Sequence, residues 1–107
     1  MIKDDRDRSG NVDETLLLVS GSKGSKEEDK KYVKKLANAI LQVFSKHKSA
    51  KLRCVGAAAL NNAIKSFIVA QGEAQKKGDK IFIDPSFTTV SFKGDEKTGI
   101  VLEVVTK

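Results

Sequence analysis

The sequence predicts an α+β domain of two layers, in which two helices cover one face of a four-stranded mixed sheet. Two observations lead to this prediction: the order of the apolar segments (strand, helix, strand, helix, strand, strand), and the change of hydrophobic period between them. Helical connections make the first two strands parallel, and the closing hairpin adds an antiparallel member. A chain of 107 residues is long enough for one such domain and too short for two.

The chain begins with a polar, charged stretch without periodicity, which predicts a disordered arm over residues 1–13 and a domain over residues 14–107. The first strand is expected within ETLLLVSG (14–21), a short apolar run that is closed by Ser and Gly. Such a run is typical of a central strand that is buried on both faces.

An amphipathic helix follows and is predicted to end near residue 46. Apolar residues recur at three- and four-residue intervals from Val33 to Phe44, and lysines occupy the opposite side. Ser25 and Glu28 have the spacing of a capping box, which places the helix start there.

The segment AKLRCVG (50–56) alternates basic and apolar residues, which is strand periodicity. Lys51 and Arg53 are expected on one face of this strand, and Leu52 and Cys54 on the other, toward the core.

A second helix is predicted over residues 57–71, with Gly72 well placed to end it. Its outer face is expected to carry Asn61, Asn62 and Lys65, because residues four apart stack on one side of a helix.

The last third of the chain predicts a hairpin. KIFID and SFTTVSF are strand-like but are interrupted by Pro85, which lacks an N–H donor and indicates an edge strand or a bend. The turn KGDEKTG (93–99) then leads to IVLEVVT, where alternate residues share one face.

Positive charge is concentrated in one part of the chain. The whole chain has a net charge of +6, and residues 23–53 hold ten basic and three acidic residues, a net +7. Clustering of this kind is expected of a protein that binds a polyanion such as DNA or RNA. We predict that Lys30 and Lys31 of the first helix and Arg53 contribute to such a surface. The alternative is a solvated, lysine-rich helix face.

Two segments, SGSKGSK and GAAALNNAIK, each connect a strand to the start of a helix. Unsatisfied N–H groups there attract anions, and small side chains let a phosphate approach closely. Because the two strands are predicted to be parallel neighbours, Lys23 and Lys26 should lie beside Asn61 and Lys65 on one basic surface. The alternative is that Gly and Ala only let the second helix pack tightly on the sheet.

Three stretches of the chain resemble the stage V sporulation protein S family. They are LRCVGAAALNNAIKSFIVAQG (52–72), LLLVSGSKGS at the start, and IFIDPSFTTVSFKGDEKTGIVLEVV at the end, so the resemblance spans about residues 15–107. This family is in turn similar to the Alba nucleic-acid-binding proteins, which have the same order of strands and helices.

The resemblance implies an Alba-like domain, usually dimeric, that binds DNA or RNA, with roles in sporulation or development. Carried over to this sequence, the implied contacts lie in the first loop, at the start of the second helix and at the hairpin tip: Lys23, Lys26, Asn61, Asn62, Lys65, Lys93 and Lys97. Ala58 departs from a family glycine, and the first helix is more lysine-rich than the family norm, which favours polyanion binding. The negative charges of Asp95 and Glu96 disfavour phosphate contact at the hairpin tip, because they would repel the phosphate.

The sequence offers little support for catalysis. The glycine-rich loop lacks the spacing of a nucleotide-hydrolase phosphate loop, and the single histidine, His47, lies between two lysines at a helix end. We find no nucleophile paired with a base, so we expect no enzymatic activity, no cofactor and no metal site. The alternative function is a protein interaction module that dimerises or docks on an acidic partner.

The expected compartment is the cytoplasm, or the nucleus if the source is eukaryotic. The single Cys54 fits a reducing environment, and neither a signal peptide nor a membrane-spanning stretch is visible in the sequence.

Overall fold

The computed structural model describes residues 13–106, and it confirms the predicted α+β architecture. The predicted arm lies, except for Asp13, outside the described residues. The elements in chain order are β1 (Leu16–Leu18), α1 (Lys26–His47), β2 (Ala50–Cys54), α2 (Ala57–Lys76), β3 (Ile81–Phe92) and β4 (Asp95–Thr106).

The four strands form one mixed sheet in the order β1-β2-β4-β3. β1 runs parallel to β2, whereas β4 pairs antiparallel with both β2 and β3. Alternate residues of β2, Ala50, Leu52 and Cys54, are buried in the core together with α1 and α2 residues, so both helices cover the same face of the sheet.

β1 is an edge strand, and the prediction of a central strand buried on both faces is wrong. It has three residues, all of them half-buried, and it pairs with β2 on one side. A short apolar run does not reveal how many strands flank it, because partial cover from the neighbouring helix also favours apolar residues.

α2 continues beyond Gly72, so the predicted end of this helix is wrong. The helix ends at Lys76, and Gly78 then adopts a φ of +87°. Ala70 and Ala74 are buried in the core on either side of Gly72, and their burial outweighs the cost of about 1 kcal/mol that glycine imposes within a helix.

β3 and β4 form a long hairpin, 12 residues in each strand. Pro85 pairs with Leu102 inside one continuous strand, and it lies on the edge strand as predicted. The turn is shorter than expected, because β4 already begins at Asp95. Lys93 and Gly94 form it with φ values of 51° and 84°, as the mirror-image turns of hairpins require.

Within residues 13–106, neither helix is both long and apolar enough to span a membrane.

Candidate nucleic-acid interface

The starts of α1 and α2 lie side by side at one edge of the sheet, as the sequence predicts. The loop before α1 packs directly on the first turn of α2, so that a Cβ placed on Gly21 would be 3.3 Å from the Cβ of Ala58. A larger residue at position 21 would therefore crowd the first turn of α2.

Asn62 joins the two segments. Its side-chain amide donates hydrogen bonds of 3.1 Å to the carbonyl oxygens of Ser20 and Gly21. The residue is only 5% exposed, so the prediction that it lies on the outer face is wrong. Its N–H groups hold the loop in place instead of facing solvent, and Asn61 is the exposed member of the pair.

The loop between β1 and α1 is further fixed by side chains of α1. The hydroxyl of Tyr32 accepts a hydrogen bond from the Ser20 N–H (2.8 Å), and the Asp29 carboxylate accepts one from the Lys23 N–H (2.6 Å). Ser25 caps the helix by accepting the Glu28 N–H at 3.1 Å, as the capping-box spacing predicts. The backbone at both helix starts is therefore held in position before any ligand binds.

A groove runs between α1 and α2 and encloses about 500 Å³. It is lined by four lysines, three from α1 and one from α2, by Asn61 and by the apolar residues Val33 and Val69. We call it the α1–α2 groove, and its lining residues are Lys26, Asp29, Lys30, Val33, Lys34, Asn61, Asn62, Lys65 and Val69. The one carboxylate, Asp29, already accepts hydrogen bonds from Ser22 and Lys23.

A second groove lies on the other flank of α1, between this helix and β1, and encloses about 560 Å³. We call it the α1–β1 groove, and its lining residues are Leu17, Leu18, Lys23, Glu28, Lys31, Tyr32, Lys35, Leu36 and Ala39. The ammonium group of Lys23 lies 4.7 Å from the centre of the Tyr32 ring, within the range of a cation–π interaction.

The basic surface that the sequence predicts is thus divided by α1. Lys26 lines one groove with Asn61 and Lys65, as expected, whereas Lys23 lines the other groove with Lys31. The buried face of α1 packs on the sheet, so the exposed lysines of this helix lie on its two flanks. Lys26, Lys30 and Lys34 line the α1–α2 groove, and Lys31 and Lys35 line the α1–β1 groove.

The lysines of α1 have no acidic partners in the described part of the chain. The ion pairs found there join Lys51 to Asp13 (3.5 Å) and Lys76 to Glu73 (3.0 Å). Lysines that are four residues apart on a helix repel one another and destabilise it by about 0.2–0.5 kcal/mol per pair. Repulsion between these lysines is therefore an unfavourable contribution to the stability of the domain.

Three of the predicted contact residues lie outside both grooves. Arg53 is paired with Val101 on the face of the sheet that α1 and α2 do not cover, and it is only 9% exposed, so its predicted position on an accessible surface is wrong. Lys93 and Lys97 are exposed at the tip of the hairpin, beside Asp95 and Glu96.

Two lysines that line the grooves, Lys34 and Lys35, are absent from the predicted contact residues. Each follows a predicted contact residue by four positions, Lys30 and Lys31 respectively, and this helical spacing was a signal that could have identified them.

The two residues with shifted pKa values, Asp13 and Cys54, line neither groove. Burial raises the pKa of the Cys54 thiol to about 11, so the thiol stays protonated at neutral pH and is a poor nucleophile. Hydrogen bonds from Thr15, and more weakly the charge of Lys51, lower the pKa of Asp13.

A family model described as Stage V sporulation protein S (SpoVS) matches residues 27–107. The match starts in the first turn of α1 and includes α2 and the hairpin, so it contains most of the α1–α2 groove. β1 and the loop that follows it precede the matched region.

Proposed function

Because the chain belongs to the stage V sporulation protein S family, which implies a role related to sporulation, we propose that it acts as a non-enzymatic nucleic-acid-binding protein. The proposed ligand is the phosphate backbone of DNA or RNA, bound along the α1–α2 groove. The observed order of strands and helices supports a proposed relationship to the Alba nucleic-acid-binding proteins.

One observation carries this proposal: four lysines that have no acidic partner among residues 13–106 line one groove together with the exposed Asn61 amide. Ammonium and amide groups are the donors that proteins direct at phosphate oxygens. Because these groups have flexible stems and contact the backbone, the binding should depend little on base sequence.

The start of α2 adds to the attraction for anions. Its N-cap is Gly56, which offers no side-chain cap, and its first turn contains no acidic residue. No side chain therefore neutralises the positive end of the helix dipole at this turn. The small, exposed residues Ala57 and Ala58 leave its N–H groups accessible to an anion.

The proposal predicts a steep dependence of affinity on salt. If Lys26, Lys30, Lys34 and Lys65 each neutralise one phosphate, the slope of log affinity against log salt is roughly −4 on duplex DNA and nearer −3 on a single strand. Fluorescence anisotropy with labelled duplex DNA, single-stranded DNA and structured RNA at several salt concentrations measures these slopes.

A triple substitution locates the site. Changing Lys26, Lys30 and Lys65 to Ala should reduce the slope by about three units, because three phosphate contacts are lost. The matched control changes Lys46, Lys77 and Lys80 to Ala, which removes the same charge at the other end of the helices. An affinity that does not change with salt, or an equal effect of both triple variants on the slope, would contradict the proposal. Contacts by Lys93 and Lys97 stay a prediction that single substitutions can test.

We also propose that the protein is a homodimer. Phe87 is 82% exposed on the helix-bearing side of β3, and Ile68 is 57% exposed on α2. Large apolar side chains this exposed are common at protein interfaces. Sedimentation velocity should show a dimer for the wild type and a monomer for Phe87→Glu. A monomeric wild type would contradict the proposal.

A further inference from the structure

We propose that the α1–β1 groove binds an extended, acidic peptide segment of a partner protein, which adds a strand to the free edge of β1. This site lies on the opposite flank of α1 from the proposed nucleic-acid site and does not depend on it.

Within residues 13–106, the outer edge of β1 carries backbone groups that have no hydrogen-bond partner. The Thr15 carbonyl accepts from the Lys51 N–H (2.8 Å), and the Val19 N–H donates to the Arg53 carbonyl (3.0 Å), so these groups point to β2. Backbone groups alternate in direction along a strand, and those of Leu16 and Leu18 therefore point away from β2. The Leu16 N–H is bonded to the Asp13 carbonyl (3.1 Å), which leaves the Leu16 carbonyl and both groups of Leu18 for a ligand.

The shape of the groove matches an added strand. It is lined by both Leu17 and Leu18, which are consecutive and point to opposite faces of the sheet, so the groove follows the edge of β1. On the helix side it is bounded by Tyr32, by Ala39 and by the nearly buried Leu36. An extended peptide would place alternate side chains against this apolar wall.

The charge of the rim indicates an acidic peptide. Lys23, Lys31 and Lys35 surround the groove, and the single carboxylate there, Glu28, already accepts a hydrogen bond from the Ser25 hydroxyl (3.3 Å). Nucleic acid could satisfy the lysines but would leave the strand edge and the apolar wall unused. An extended peptide whose helix-facing positions carry both apolar and acidic residues uses all three features, in the manner of strand addition to other sheet edges.

The test uses the ¹⁵N-labelled full chain and two synthetic heptapeptides. The first has the sequence Val-Thr-Glu-Thr-Val-Thr-Glu, which places its Val and Glu side chains on one face, and the second has lysine at both acidic positions. The acidic peptide should shift the amide resonances of residues 16–19 and 31–39. It should also slow hydrogen exchange of the Leu18 amide about ten-fold once its concentration is about ten times the Kd, because exchange then requires the free protein. The basic peptide should do neither.

Charge reversal on the two flanks of α1 separates this site from the nucleic-acid site. The double variant Lys31→Glu with Lys35→Glu should bind the acidic peptide with a Kd that is roughly ten-fold higher or more, and it should bind the basic peptide. Lys30→Glu with Lys34→Glu carries the same reversal on the other flank and should leave peptide binding unchanged. Circular dichroism establishes that both variants fold.

Several results would overturn the proposal. They are no resonance shifts at millimolar acidic peptide, shifts confined to other residues, or equal weakening by both reversal variants. Displacement of the peptide by a duplex DNA that shifts the same residues would assign the groove to nucleic acid. Shifts that appear with rising protein concentration alone would assign it to a second copy of the chain.

Discussion

The two grooves beside α1 share one helix and a similar density of lysines, yet their other walls differ. The α1–α2 groove is closed by a second helix, whose side chains add an amide and another ammonium group. The α1–β1 groove is closed by the edge of a sheet, which adds backbone donors and acceptors and an aromatic ring. A run of lysines therefore does not by itself define a ligand, and we propose that the chemistry of the opposite wall selects phosphate in the first groove and peptide in the second.

The largest effect is expected from Asn62, which lines the α1–α2 groove and holds the loop that carries Lys23 of the α1–β1 groove. Asn62→Ala should lower the free energy of unfolding by about 2–3 kcal/mol, because the two hydrogen bonds from this buried amide to the loop carbonyls are lost. Urea denaturation measures this change. Asn61→Ala is the matched control, and it should alter stability by less than about 0.5 kcal/mol because the residue is exposed. Equal effects of the two substitutions would show that the loop does not depend on the buried amide.

The next prediction compares the α1 lysines that line the α1–α2 groove with those that line the α1–β1 groove. Lys30→Ala with Lys34→Ala should lower the salt slope of duplex binding by about two units and weaken binding roughly ten-fold or more at 0.1 M salt. Lys31→Ala with Lys35→Ala removes the same charge from the other flank and should change the slope by less than one unit. Anisotropy titrations measure both. If the pairs behave alike, the division of the helix into two functional sides is wrong.

A smaller effect is expected from Tyr32→Phe. This substitution keeps the ring but removes the oxygen that accepts the Ser20 N–H, and it should cost about 1 kcal/mol of stability. Because Tyr32 lines only the α1–β1 groove, the acidic peptide should bind more weakly while the salt slope on DNA stays unchanged. A change in the DNA slope would instead indicate that the loop transmits the substitution to both grooves.

Features that depend on neighbouring residues in the chain could be predicted from the sequence. α1 and its cap follow from the spacing of Ser25, Glu28 and the apolar residues, and the parallel and antiparallel pairings follow from the order of the elements. These predictions succeed because the helix cap and the helical period are local, and because helical crossovers allow few arrangements of a short chain.

Features that depend on tertiary partners could not be predicted. Asn61 and Asn62 are identical in type, and only the position of the loop carbonyls determines which of them is buried. The end of α2 depends on the burial of Ala74 beyond Gly72. The division of the lysines between two grooves depends on the rotation of α1 about its axis, which the packing against β1 and α2 sets.

The most direct test of the central claim is to map the resonances of the full ¹⁵N-labelled protein during titration with a short duplex DNA at low salt. If the α1–α2 groove binds the phosphate backbone, the largest shifts should fall on Lys26, Lys30, Lys34, Asn61 and Lys65, and they should disappear together as salt is raised. Largest shifts at the hairpin tip around Lys93 and Lys97, or along Lys23, Lys31 and Lys35, would contradict it.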